Sequence, residues 1–157
     1  HGVVPLQSVK TLHGNTHIFD SDNHLHCTEQ VPKEAATLQV QLGTSGSCFL
    51  DFVPGAQTAK CGFNGTSTSG HKGKVSQDEV PLLGDETYLA MRVLIDGSVG
   101  ECYWQEGRVA MTVELGAGAG QGEPSVSIMS SGADGAIMNA TSWKMMDIHT
   151  TVADVLA

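Results

Sequence analysis

The sequence predicts an all-β fold: two antiparallel sheets packed face to face in one domain spanning residues 1–157. Three observations carry that prediction. Glycine occurs 19 times and proline 5 times, scattered along the chain, so turn residues interrupt every apolar run. The runs themselves are short, and several alternate with polar residues at the period of a strand. Apolar residues make up 40% and charged residues 16%, enough to bury a core and too few charges for a disordered chain. No repeat of fixed period is present, which argues against a propeller or solenoid within this chain.

Taken in order, residues 3–11 carry apolar side chains behind Pro5, as an edge strand does. His17-Ile18-Phe19-Asp20 leads into the polar turn Ser21-Asp22-Asn23. Residues 36–42 alternate Leu38, Val40, Leu42 against Thr37, Gln39, Gln41, a half-buried strand. Residues 48–53 form a second such run, and residues 62–73 read as a polar loop rich in Gly, Ser and Thr. Residues 88–95 are the most apolar stretch, with Arg92 the exception, so this strand is expected to pack on both faces. Residues 101–104 and 109–113 follow, with Glu106-Gly107 as the turn between them. Residues 125–129 and 140–148 complete the sheets; residues 116–122 are a glycine-rich loop and residues 151–157 a short helical tail.

Charge narrows the partners. Seventeen acids against 8 bases give a net charge of −9, which repels a polyanion and excludes nucleic acid. The one basic patch, His71-Lys72-Gly73-Lys74, reads as a solvated loop. No apolar run approaches the ~18 residues of a membrane helix. The first residue is His1 and no signal peptide is visible, so a mature or excised product is expected. Asn64-Gly65-Thr66 and Asn139-Ala140-Thr141 are acceptor sequons for N-glycosylation at Asn64 and Asn139.

Cys27, Cys48, Cys61 and Cys102 permit three full pairings. Cys48 and Cys61 flank a hairpin centred on Pro54-Gly55 and face each other in its simplest register, which makes them the candidate bridge. Proline in the first place of a two-residue loop suits a type II turn, whereas hairpins prefer primed turns, so a longer loop competes. Four buried thiols are the rival reading. One or two disulfides would go with a secreted or organellar-lumen location.

Two further clusters invite chemistry. In His24-Leu25-His26-Cys27 the two histidines would share one face if the run were a strand, and two imidazoles with a thiolate can hold zinc. Surface histidines beside a turn are the commoner fate of such a run, and no metal or other cofactor is expected. Trp104 and Trp143 are the aromatic side chains that could stack on a sugar, although a strand Trp more often packs in a core. No Gly-x-Ser-x-Gly elbow exists, and residues 116–122 lack the Lys-Ser/Thr of a phosphate cradle.

One segment carries a family resemblance. From Leu89 to Thr112 the chain reads LAMRVLIDGSVGECYWQEGRVAMT, in which Asp96, Ser98, Glu101, Tyr103, Gly107, Arg108 and Thr112 fall without a gap into an Arg, three apolar residues, Asp-x-Ser-x-x-Glu-x-aromatic, Gly-Arg, Thr pattern. This resembles the signature of the C-terminal sandwich of family-32 glycoside hydrolases, the invertases and fructan hydrolases. Ala140 to Met146, with Trp143 followed by Met145, is similar to the closing strand of that sandwich. The chain departs where the family continues into Ser-Arg-x-Tyr-Pro: here Val113-Glu114-Leu115 runs into the glycine-rich loop, and Gly100 stands where an apolar residue is usual.

The resemblance implies a lectin- or concanavalin-like sandwich without the catalytic propeller that supplies the family's Asp nucleophile, Glu acid/base and stabilising Asp. The motifs of those carboxylates have no match, and Glu101-Cys102 lies inside the sandwich signature, so the chain alone is expected not to be an enzyme. Asp96-Gly97-Ser98 reads as a tight turn, Gly107 as a residue of permissive φ, and Arg108 as a partner for Glu101 or Glu106. The expected function is an accessory or stabilising subunit, or a processed half, serving a propeller-bearing chain or a multi-subunit assembly. The alternatives are a lectin-like module that binds a glycan and a structural subunit unrelated to sugars.

Overall fold

A computed structural model of the chain describes residues 7–12, 16–19, 24–65, 75–115, 126–131 and 138–143. These residues form twelve strands: β1 (Gln7–Leu12), β2 (Thr16–Phe19), β3 (His24–Gln30), β4 (Ala36–Leu42), β5 (Gly46–Phe52), β6 (Thr58–Gly65), β7 (Val75–Pro81), β8 (Tyr88–Asp96), β9 (Val99–Trp104), β10 (Val109–Glu114), β11 (Val126–Ser131) and β12 (Met138–Trp143). Sheet I runs β1-β12-β3-β8-β9-β10 and sheet II runs β2-β11-β4-β5-β6-β7. Every neighbouring pair is antiparallel. The two-sheet sandwich is thus the fold the sequence predicts.

Two meanders, β4–β7 and β8–β10, supply the local pairings. The remaining strands are recruited from the chain's ends: β1 joins sheet I through β12, and β2 joins sheet II through β11. Alternation decides which side chains meet between the sheets. Leu38, Val40 and Leu42 of β4, Cys48, Leu50 and Phe52 of β5, and Ala59, Cys61 and Phe63 of β6 face Leu25 and Cys27 of β3, Leu89, Met91 and Val93 of β8, and Cys102 and Trp104 of β9 across one core. Ile128 and Ala140 close it at the recruited strands.

Two strands lie where the sequence predicts none. β3 buries Leu25 and Cys27, an inward pair flanked by polar residues. β7 is a sheet edge whose Asp78 stands opposite buried Cys61 yet is itself exposed, an inward-parity charge that blunts edge-to-edge pairing. β6 extends through residues 62–65, assigned above to the polar loop; the rest of that loop, the glycine-rich loop 116–122 and the tail 151–157 lie outside the described residues.

The β8–β9 turn is Gly97-Ser98, with φ positive (56°) at Gly97 only, the pattern of a type II′ hairpin. Gly100 and the segment that follows Thr112 are linked by packing. A Cβ on Gly100 would stand 3.0 Å from Val113 Cγ2 and 3.2 Å from Leu115 Cδ2. Val113, near the end of β10, and Leu115, just after it, therefore fill the space that an apolar residue at 100 would take, and Leu115 is tied down by its N–H donating to Ser98 O at 2.7 Å.

The cysteine reading needs correction. Cys48 is bonded to Cys102, a bridge between sheets with Cα atoms 6.5 Å apart, and Cys61 remains a thiol. The candidate Cys48–Cys61 bridge fails because the β5–β6 loop spans residues 53–57, with Gly55 at φ 79°. That loop slides the register so that Cys48 faces Phe63 and Cys61 faces Leu50.

Candidate functional site

The signature hairpin is built for structure. Gln105, Glu106 and Gly107 all take positive φ (46°, 57° and 89°), turning β9 into β10. Gln105 is 1% exposed, and its side chain is fully used: Oε1 accepts from Ala90 N–H, while Nε2 donates to Glu86 Oε1 at 2.8 Å and to Tyr88 O at 3.2 Å. Arg108 pairs with Glu86, not with Glu101 or Glu106, and its Nε donates to Gln105 O at 3.2 Å. Glu86 also accepts from Leu83 N–H at 2.9 Å. One carboxylate thereby clasps the β9–β10 turn to the β7–β8 connection. Arg108 points that way because three left-handed residues in succession rotate it off the outer face of β10. Glu101 accepts instead from the Tyr103 hydroxyl at 3.0 Å, a bond that raises the tyrosine pKa above its usual value.

Trp104 is correspondingly unavailable to a sugar: it is 0% exposed and faces Met91 and Val109 in register. Trp143 lies on β12 opposite Gln7 and His24, and its side chain is outside the described residues. Asp96 ends β8 and Ser98 is the second residue of the β8–β9 turn, both exposed. The histidine–cysteine cluster is parted by the pleat. Cys27 is buried, with its Sγ 3.5 Å from Met91 O, while His26 lies on the opposite, outer face with Nε2 3.8 Å from Glu106 Oε1. A thiolate and an imidazole from adjacent strand positions cannot share a metal across the sheet, so that set is not a zinc site. Among the described residues no group of three or more His, Cys, Asp or Glu could hold a metal ion. Asn64 and Asn139 both present exposed side chains, on β6 and β12.

A further cluster of polar residues comes together only in the fold. The outer face of sheet II holds a trough of ≈ 330 Å³. Its floor is the row Gln39, Phe49, Gly62, Gln77, one residue from each of β4 to β7, aligned by register. Ser47 and Asn64 form one wall; Thr37, Asp51 and Lys60 form the other. The walls are ordered by Gln39 Nε2 donating to Ser47 Oγ and Thr37 Oγ1 donating to Asp51 Oδ1, both at 2.7 Å. The signal was present as polar alternation on β4 and β5, a pattern that equally describes a solvated face.

Cys61 gives the core a chemical readout. Burial, and then the negative charge of Asp78, pushes its thiol from 9.0 up to about 11. We expect iodoacetamide at pH 8 to leave the native chain unlabelled, and to find two thiols after denaturation without reductant and four with it. Four thiols without reductant would break the bridge assignment. The folded thiol titrates above the unfolded one, so its contribution to stability is complete below pH 9 and lost as pH rises through about 11.

By sequence, no family model and no curated protein matches the chain. Its fold does match solved structures. Exo-inulinase from Aspergillus awamori aligns over 91% of this chain and 29% of its own, with 13% identity and a TM-score of 0.62. Fructan 1-exohydrolase IIa from Cichorium intybus aligns over 89% of this chain and 36% of its own, with 9% identity and a TM-score of 0.62. The CBM2 module of the evolved Dit of Lactobacillus casei BL23 phage J-1 aligns over 87% and 67%, with 10% identity and a TM-score of 0.52. The chain spans about a third of the length of the fructan-acting enzymes it matches. That share is consistent with a C-terminal β-sandwich, so the resemblance read from Asp96 to Thr112 holds at the level of fold.

Proposed function

We propose that this chain is a non-catalytic β-sandwich module that serves a larger carbohydrate-acting protein, as a stabilising accessory subunit or as the processed half of a β-fructofuranosidase-like enzyme. The observation that carries this reading is where the signature residues spend their contacts. Arg108 and Gln105 close a clasp on Glu86, Glu101 holds Tyr103, and Trp104 fills the core. Each is committed to the sandwich, and a retaining glycosidase would need two carboxylates converging on a bond to be cleaved. The names of the similar structures, two fructan-acting enzymes and a carbohydrate-binding module, support the same direction. The inter-sheet disulfide supports an oxidising compartment, secreted or organellar-lumenal. Among the described residues no helix is long and apolar enough to cross a membrane.

The purified chain, incubated with sucrose and with inulin, is expected to release no fructose above the blank. Steady release that co-elutes with the chain on gel filtration would end the non-catalytic reading. Co-expression with the polypeptide encoded on the same transcript is expected to give one co-eluting species whose unfolding midpoint exceeds that of either part. Separate elution with unchanged midpoints would remove the partner.

A further inference from the structure

We propose that the trough on the outer face of sheet II is a binding site for an uncharged oligosaccharide, with Phe49 as its stacking floor. This deepens the accessory-module reading by giving the module a ligand class. It places the contact on β4–β7, away from both tryptophans considered in the sequence.

The floor is made by a glycine. In the row Gln39, Phe49, Gly62, Gln77 the third place has no side chain, and none could be added: a Cβ there would stand 2.2 Å from Ser76 O and 2.9 Å from Phe49 Cζ. The Phe49 ring therefore leans over β6 and lies along the sheet instead of standing off it. It is a half-buried aromatic among amides and hydroxyls on a face that is otherwise polar. Three interstrand steps make the row roughly 14 Å long, the span of a short oligosaccharide and longer than one sugar ring.

The rim selects the ligand by what it offers and lacks. Gln39 donates to the buried Ser47 hydroxyl, which orders the wall, and keeps a carbonyl oxygen to accept; the exposed Asn64 and Gln77 each offer both. Such two-way groups match sugar hydroxyls, which donate and accept, while the apolar C–H face of a sugar ring matches the flat aromatic. A polyanion is disfavoured, because Lys60 stands opposite both Asp51 and Glu79 and the chain carries a net charge of −9. An added peptide strand has no purchase on this face, since β4, β5 and β6 are paired on both sides. An apolar partner would find one apolar side chain.

The test uses the whole chain exported to a bacterial periplasm, where the disulfide forms and Asn64, on the rim, carries no glycan. Affinity electrophoresis in inulin, laminarin and xylan, with heparin as the charged comparison, is followed by calorimetry with the hexamer of whichever polymer retards the chain. Retardation by at least one neutral polymer is expected. Phe49→Ala should weaken binding about tenfold, and Gln77→Ala, on the edge strand, about fivefold with the unfolding midpoint unchanged. Gln77→Ala keeps the test decisive if Phe49→Ala fails to fold. The site is refuted by no retardation in any neutral polymer, by stronger retardation in heparin, or by affinity that survives Gln77→Ala together with Asn64→Ala. None of these results bears on fructose release, so the non-catalytic reading stands or falls separately.

Discussion

Replacing Cys48 and Cys102 together by alanine is expected to remove about 4 kcal/mol of stability, the chain-entropy value for a loop closed across a separation of 54 residues. For a domain of this size that corresponds to a fall of roughly 8–16 °C in the unfolding midpoint. The effect is large because the bridge joins the centres of two meanders on opposite sheets, away from the clasp that ties the β9–β10 turn to the β7–β8 connection. Without it, the loop between residues 48 and 102 is open, and the unfolded chain gains the conformations that closure forbids. Equilibrium urea unfolding followed by tryptophan fluorescence measures the loss, with Cys61→Ala as the control for deleting a buried sulfur. A double variant within about 1 kcal/mol of the parent would show that the bridge does not restrain the fold.

Trp104→Ala should cost about 3–5 kcal/mol, the range for emptying a large aromatic site in a packed core. Trp104 is fully buried between Met91 and Val109, next to Cys102 on the inward face of β9. Its indole N–H finds no acceptor among the described residues. Phenylalanine at this position gives up volume but relieves an unsatisfied buried donor, a penalty of about 1–3 kcal/mol, so Trp104→Phe should be far milder than Trp104→Ala. Both losses are read from urea midpoints. If the two variants proved equally destabilised, the donor would have a partner. Because Trp104 and Cys102 share one core layer, combining Trp104→Ala with the cysteine pair should give a loss different from the sum.

These two effects also separate stability from recognition. Trp104→Phe should leave affinity for a neutral polysaccharide unchanged, whereas the Phe49 variant should lower it. The two aromatics sit on opposite faces of the sandwich's structure–surface divide: one between the sheets, the other on the solvent side of sheet II.

The residues by themselves determined the class of fold and several of its strands. Leu38, Val40 and Leu42 alternate cleanly because β4 is half-buried, and residues 88–95 read as a strand because burial there is dense enough to be unmistakable. The glycines at 97 and 107 marked their turns because only positive φ closes them, a local requirement that a local signal can carry. β7 is not legible because Val80 is the one fully buried apolar side chain among its described residues, and Ser76 and Asp78 hold the other inward places, so no apolar alternation shows. β3 went unread because its inward residues are Leu25 and Cys27, and its histidines drew attention to chemistry that the pleat then divided between two faces.

Tertiary structure alone decided the pairings at a distance. Which cysteine Cys48 meets depends on how two sheets stack, and nothing local to Cys48 distinguishes Cys102 from Cys61. Arg108 chose Glu86, 22 residues away, over two nearer carboxylates because the turn's backbone aimed it there. The trough is assembled from four strands, each contributing polar residues that read singly as solvent-facing. Periodicity reports which side of a strand is buried; only strand order and register, which are properties of the whole chain, bring Gln39, Phe49, Gly62 and Gln77 into one row.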